Sequence, residues 1–229
     1  MRESTNERYQ GVLRDTMKTE RLQYFSDAVF AIALTLLVLE ITVPILAGDN
    51  PSNADITVAV AALWPKLLAY VISFVVIGVN WTGHHRKFAV MTRIDGTIIR
   101  IDLLLLFLIA FVPFPTALLS DYLGDATPVI VYAATVSAIS LVQLWMWVYA
   151  YKQRYLNARI DGAMYRMIGR NLLVVPVVFV LSIPVALLPF DEAGLVAMCF
   201  WVLSIPLGVA VGRLGERQET RRRLQIRHA

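Results

Sequence analysis

At 229 residues, 58% of them hydrophobic and 17% charged, with a mean hydropathy of +0.62, the chain departs from the soluble norm of roughly 45–50% apolar and 25% charged residues. This excludes an ordinary soluble domain and points to an all-α integral membrane protein, a single bundle of about six spans at roughly 20 apolar residues each. A net charge of +4 would indicate an anionic partner in a soluble protein, but here the distribution of charge matters more than its sum and no nucleic-acid partner is expected; the single Cys199 excludes an intrachain disulfide and leaves no cysteine-based metal site.

The chain opens with a polar stretch, residues 1–20, which has no short apolar core before a small-residue cleavage site. It is read as a cytoplasmic tail, with the first span retained. Six transmembrane helices are expected at 22–46, 56–81, 98–119, 129–151, 172–190 and 193–211, followed by a basic cytoplasmic tail at 213–229, the whole of 1–229 forming one domain. The basic residues test that count. The N-terminal tail with Arg21, the second connection (Arg86, Lys87, Arg93, Arg100), the fourth (Lys152, Arg154, Arg159, Arg166, Arg170) and the C-terminal tail hold every lysine and arginine except Lys66. The first, third and fifth connections carry only acids: Asp49, Asp55, Asp121, Asp125, Asp191 and Glu192. Since cytoplasmic loops are enriched in Lys and Arg, both termini are expected in the cytoplasm of a multi-pass protein of the cell membrane. For the C-terminal tail, a solvated end that enforces topology outranks attachment to anionic lipid.

The first span, RLQYFSDAVFAIALTLLVLE, carries Arg21, Ser26, Asp27, Thr35 and Glu40 within an apolar helix. Charge in hydrocarbon costs roughly 2.5–3.5 kcal/mol per residue on insertion scales, so such groups default to pairing or function. With Ile32 as the zero of a helical wheel, Thr35, Leu36 and Leu39 fall within about 60° of it, whereas Asp27 falls about 140° away. If the Ile32 stripe lines an axis shared by identical subunits, Asp27 points back into its own subunit, toward Asn80, Trp81, Thr82, His84, His85 and Arg86 on the second span or toward Arg21. That arrangement is cheaper than turning the carboxylate to lipid. Adjacent histidines point about 100° apart on a helix, so hydrogen bonding of His84 and His85 to Asp27 or Ser26 outranks a metal site. Thr35 is expected to bond the carbonyl of Ala31 or, on a pore axis, to offer oxygens to a partly dehydrated cation beside rings of Ile32, Leu36 and Leu39. Glu40, about 80° from Ile32, is either an outer-mouth charge or the partner of a neighbouring helix through Lys66.

The string RxxxFSD followed by AIALTLLVLE (Arg21, Phe25, Ser26, Asp27 and 31–40), and LWPKLLAYVISFVVIGVNWTGHH at 63–85, resemble the first two helices of the transmembrane protein 175 family of lysosomal potassium channels and their prokaryotic relatives. The resemblance implies a six-helix subunit, a homotetramer, and a pore lined by the first helix without a TVGYG loop. It implies that Ile32, Leu36 and Leu39 form apolar constrictions and that Thr35 is tied to potassium preference. Arg21, Phe25, Ser26 and Asp27 are then expected to hold the first helices in place, joined by Asn80, His84 and His85. The permeant ion would be potassium, with no cofactor and no catalytic residue; the partners are a second copy of the chain, potassium ions and membrane lipids. The competing reading is a proton-coupled secondary transporter using Asp27, His84, His85 and Glu40, with Pro113, Pro115, Pro176, Pro184 and Pro206 as helix breakers. An enzyme ranks last, since no nucleophile and base come together in the sequence.

Overall fold

The computed structural model describes residues 19–46, 51–189, 193–204, 207–208 and 210, all of them helical, turn or irregular apart from one isolated antiparallel bridge between Met91 and Leu156. Residues 1–18 of the expected tail at 1–20, the expected tail at 213–229, and the loop acids Asp49, Asp191 and Glu192 lie outside the described residues. The elements are α1 (Thr19–Leu36, running into a 3-10 turn, Leu37–Glu40), α2 (Asn53–Ala61), α3 (Trp64–Val90), α4 (Gly96–Phe111), α5 (Pro113–Asp121), α6 (Ala126–Lys152), α7 (Gly162–Ala186) and α8 (Ala193–Val202).

Five stretches are long and apolar enough to cross a membrane: Glu20–Glu40, Trp64–Val90, Gly96–Asp121, Ala126–Lys152 and Gly162–Ala186. The sixth expected span is described as the shorter apolar helix α8. Several boundaries differ from the sequence reading: the second span runs on to Val90, nine residues past 81, the fifth span stops at Ala186, and four further differences have a local reason. The first span ends at Glu40 and not at residue 46, because the chain leaves helical geometry at Ile41. The second does not begin at 56: Ser52 and Asp55 form a capping box that starts α2, and a new helix starts at Trp64 with Pro65 in its first turn. The third is divided at Val112, where Pro113 and Pro115 remove backbone donors, yet Val112 keeps right-handed helical angles, so the span is jointed without being unwound. The fifth begins ten residues before 172, because the Asp161 carboxylate accepts from the backbone N–H groups of Ala163 and Met164. Pro176 and Pro184 lie inside α7 without ending it.

The buried face of α1 follows from helical spacing: Ser26, Phe30, Ala33 and Leu37 are 0–1% exposed and fall on one side of the wheel. That side packs against α3 and α4. The first apolar cluster joins Phe30, Ala33 and Leu37 to Ile77, Phe88, Ile101, Leu105 and Met146. A second cluster joins Tyr132, Val136, Phe179, Met198 and Trp201 around α6, α7 and α8. Small buried residues (Ala33, Ala69, Ala133, Ala150) let the helix axes approach closely, which matters where lipid supplies no hydrophobic drive between helices.

Candidate ion pathway and its polar brace

The outward face of α1 is the one the wheel isolates. Ile32 is 57% exposed, Leu36 40% and Leu39 68%, and Thr35 is exposed between them, while the residues behind them are buried. Large apolar side chains in this pattern form a continuous unpartnered stripe along a helix whose other side is fully packed. The Thr35 hydroxyl donates to the carbonyl of Ile32 at 2.8 Å, one residue nearer than the expected Ala31 acceptor. Its oxygen keeps acceptor capacity.

At the top of the stripe the backbone tightens. The 3-10 turn winds at about 120° per residue, so four residues advance about 80° further than an α-helix would. Leu39 stays over Leu36, but Glu40 moves to about 160° from Ile32 and is half-buried. The outer-mouth role of Glu40 therefore loses its geometric support. Lys66 does not pair with it: the Lys66 ammonium lies 3.5 Å from the Asp121 carboxylate.

Behind the stripe, at the basic end of the bundle, α1 is tied to its neighbours by directional bonds. The Trp81 indole N–H donates to the Asp27 carboxylate at 2.8 Å, so Asp27 turns back toward α3. The Gln23 amide meets His85 Nδ1 at 2.8 Å, and the His85 ring lies 5.8 Å from the Trp81 ring. Ser26 donates to the Leu22 carbonyl and, at 2.6 Å, to the Asp102 carboxylate; the other oxygen of Asp102 bonds His84 Nε2 at 2.7 Å. Ser26, His84 and Asp102 are all fully buried, and the His84 ring is sandwiched by Phe30 and Phe88 at 5.4 and 4.5 Å.

Sequence reasoning missed Asp102. The signal was present, a single carboxylate ahead of LLLLFLIAF, and the same desolvation argument that singled out Asp27 applies to it with greater force. His84 therefore pairs with Asp102 on α4, and not with Asp27. Among the described residues Arg21 forms no ion pair with Asp27; it is exposed at the start of α1, as is Phe25. Asn80 belongs to a different chain of bonds: it donates to the Val76 carbonyl and accepts from Gln143, whose side-chain carbonyl takes a hydrogen bond from buried Lys87. Lys87, which the sequence reading counted among loop charges, thus lies inside the bundle between α3 and α6. Lys87 and Gln143 both pass close to Gly83, at 3.7 and 3.6 Å from where a Cβ would stand, an ordinary contact distance.

At the α3–α4 turn, just outside the spans, the Asp95 carboxylate caps α4 through Thr97 and Ile98 and accepts from the hydroxyls of Tyr149 and Tyr155. Partial burial pushes its pKa up, but the four hydrogen bonds, led by that of Tyr149, outweigh this and hold it below the ordinary carboxylate value.

Residues 21–113 match the family model of the endosomal/lysosomal potassium channel TMEM175. A potassium channel of Streptomyces collinus is 38% identical over 147 residues, covering 62% of this chain and 69% of that protein. A potassium channel of Chamaesiphon minutus is 43% identical over 136 residues, 58% of this chain and 66% of that one. The crystal structure of a lysosomal potassium-selective channel TMEM175 homologue from Chamaesiphon minutus matches with a TM-score of 0.58 at 35% identity, covering 81% of this chain and 97% of that chain.

Proposed function

The chain belongs to the TMEM175 family of potassium channels, and on that footing we propose that copies of it assemble as a homotetramer in the cell membrane around the exposed stripe of α1. It is a potassium channel. Ile32, Leu36 and Leu39 form stacked apolar rings that resist hydration, and Thr35 supplies a ring of hydroxyl oxygens between them. Potassium moves passively down its electrochemical gradient. Both termini lie in the cytoplasm, and the acids of the outer connections raise the local cation concentration.

The observation that carries this reading is the two-sidedness of α1. One face buries Ser26, Phe30, Ala33 and Leu37 within the subunit; the other leaves Ile32 57% and Leu39 68% exposed with no packing partner in the subunit. A stripe of that length needs either lipid or other copies of itself. The embedded hydroxyl of Thr35 and the polar brace that fixes the back of α1 favour copies, since neither serves a lipid-facing helix.

Bi-ionic recording from reconstituted full-length protein tests it. Ile32→Asn hydrates the narrowest ring and should enlarge the resting leak several-fold; Leu36→Ala should act in the same direction. Thr35→Val, which keeps the shape and removes the oxygen, should lower the potassium-to-sodium permeability ratio. Wild-type conductance in both apolar-ring variants would remove α1 from the pore, and an unaltered ratio in Thr35→Val would remove the hydroxyl ring. Saturating, proton-coupled flux without single-channel steps would instead establish the transporter reading built on Asp27, His84, His85 and Glu40.

A further inference from the structure

A second polar feature lies away from α1, where α6 ends. A cavity of about 420 Å³ opens between the last turn of α6 and the chain leading to α7, lined by Tyr151, Lys152, Arg154, Leu156, Asn157 and Ile160 among others. Two cations and no carboxylate face it. The nearest acid in sequence, Asp161, directs its carboxylate to the first N–H groups of α7.

The cavity is built by a pinned loop. The N–H of Arg154 reaches the Tyr151 carbonyl and that of Tyr155 reaches Ala150, closing the end of α6. Thr92 and Val90, at the end of α3, bond Tyr155 and Asn157 at 2.7 and 2.8 Å. Tyr151 stacks on Tyr165 of α7 with ring centroids 3.8 Å apart, which fixes the far wall. Within this frame Arg154 adopts φ 58°, the left-handed region that favours glycine. The fold thus accepts backbone strain at an arginine of the lining.

Position says what kind of anion belongs there. Lys152 is the last residue of a membrane-spanning helix, so the cavity lies at headgroup depth. Below it on the same helical face, seven and eleven residues back, Trp145 and Leu141 are each 51% exposed, an apolar track leading down into the hydrocarbon. We propose that this cavity binds the phosphate headgroup of an anionic membrane lipid, with Lys152 and Arg154 meeting its charge and an acyl chain lying along Trp145 and Leu141. A free phosphate would use the cations but gain nothing from the apolar track.

The test uses the full-length channel and counts retained lipid by native mass spectrometry after exposure to mixed vesicles of phosphatidylglycerol and phosphatidylcholine. The wild type should retain phosphatidylglycerol selectively. Each lost cation near the membrane surface should weaken retention about five-fold, so Lys152→Gln with Arg154→Gly should lose roughly twenty-five-fold. Arg154→Gly also relieves the strained backbone, which keeps the variant folded, and Arg154→Lys should restore most of the retention. The exposed pair Arg86→Gln in the last turns of α3 and Arg93→Gln just after it should leave retention unchanged. Potassium flux in phosphatidylcholine should be the same for all variants, separating this site from the pore. Equal retention of the two lipids by the wild type, wild-type retention by the Lys152/Arg154 pair, or an equal loss from the Arg86/Arg93 pair overturns the proposal. Displacement of the lipid by millimolar inorganic phosphate overturns it in favour of a free-phosphate site.

Discussion

The two halves of the subunit are held together by different chemistry. Around α1, α3 and α4 the contacts that matter are directional: Trp81 to Asp27, Ser26 and His84 to Asp102, Gln23 to His85, all between 2.6 and 2.8 Å. Around α6, α7 and α8 faces of rings dominate: Tyr132, Phe179 and Trp201 stack with centroids 4.9 to 6.3 Å apart, joined by hydrogen bonds from Trp201 to Ser182, from Trp147 to the Tyr165 carbonyl and between Tyr132 and Ser73. Hydrogen bonds weaken steeply with small changes in length and angle, whereas stacked rings tolerate sliding. The half that carries the exposed stripe is therefore the half whose helix is fixed most tightly in rotation and depth. The other half supplies bulk and cohesion.

Five substitutions break or sharpen that contrast, taken from the largest expected effect. Asp102→Ala strips the acceptor from Ser26 and His84 in a fully buried site and should cost about 3 kcal/mol, read as a lowered thermal midpoint together with altered ion selectivity. A stable variant with unchanged selectivity would show that α1 is not positioned from behind. Phe179→Ala should cost about the same or slightly less in stability by leaving a cavity between Tyr132 and Trp201, yet leave the potassium-to-sodium ratio untouched. A change in the ratio would erase the distinction between the halves. Asp27→Asn keeps the shape but weakens the bond from Trp81, for which about 1–2 kcal/mol is expected, with Trp81→Phe giving a similar loss and the double variant little more. Additive losses would mean that the two residues do not share one bond.

The smallest effect is a pH dependence at Asp95. Its folded pKa is depressed, so its contribution is complete above the unfolded carboxylate value of about 4 and is lost as pH falls through the folded value. Asp95→Asn keeps a capping oxygen and removes the charge, so the stability gap to wild type should be under about 1 kcal/mol, constant from pH 5 to 8, and should close below pH 4. A gap that widens on acidification would contradict the depressed pKa.

Much of this was legible in the sequence because membrane spans are written in long runs and charge asymmetry is written in loops. The wheel of α1 also separated the Ile32 stripe from Asp27 correctly as a matter of geometry, since a helix of fixed pitch leaves little freedom there. What escaped has a common cause: partners on other helices cannot be deduced from one helix. Asp102 hid among leucines, and Asn80 was grouped with Asp27 although its bonds run to Gln143. Lys87 passed for a loop charge because its position at the end of a span says nothing about which way it turns. Helix ends were displaced wherever capping by Ser52 or Asp161, or a break at Pro65, overrode the hydropathy run.

The short 3-10 turn at Leu37–Glu40 gives the C-terminal end of α1 a different pitch from the hydrogen-bonded part that precedes it. Exchanging its four residues between 3-10 and α pitch changes the length of the shaft by about 2 Å and its azimuth by about 80°. Leu37 stays anchored at the joint, while everything above it turns like the tip of a screw whose thread is cut only at the end. In the pore proposed above, such an exchange would reshape the end of α1 without breaking any bond at Asp27, Ser26 or His84 beneath it.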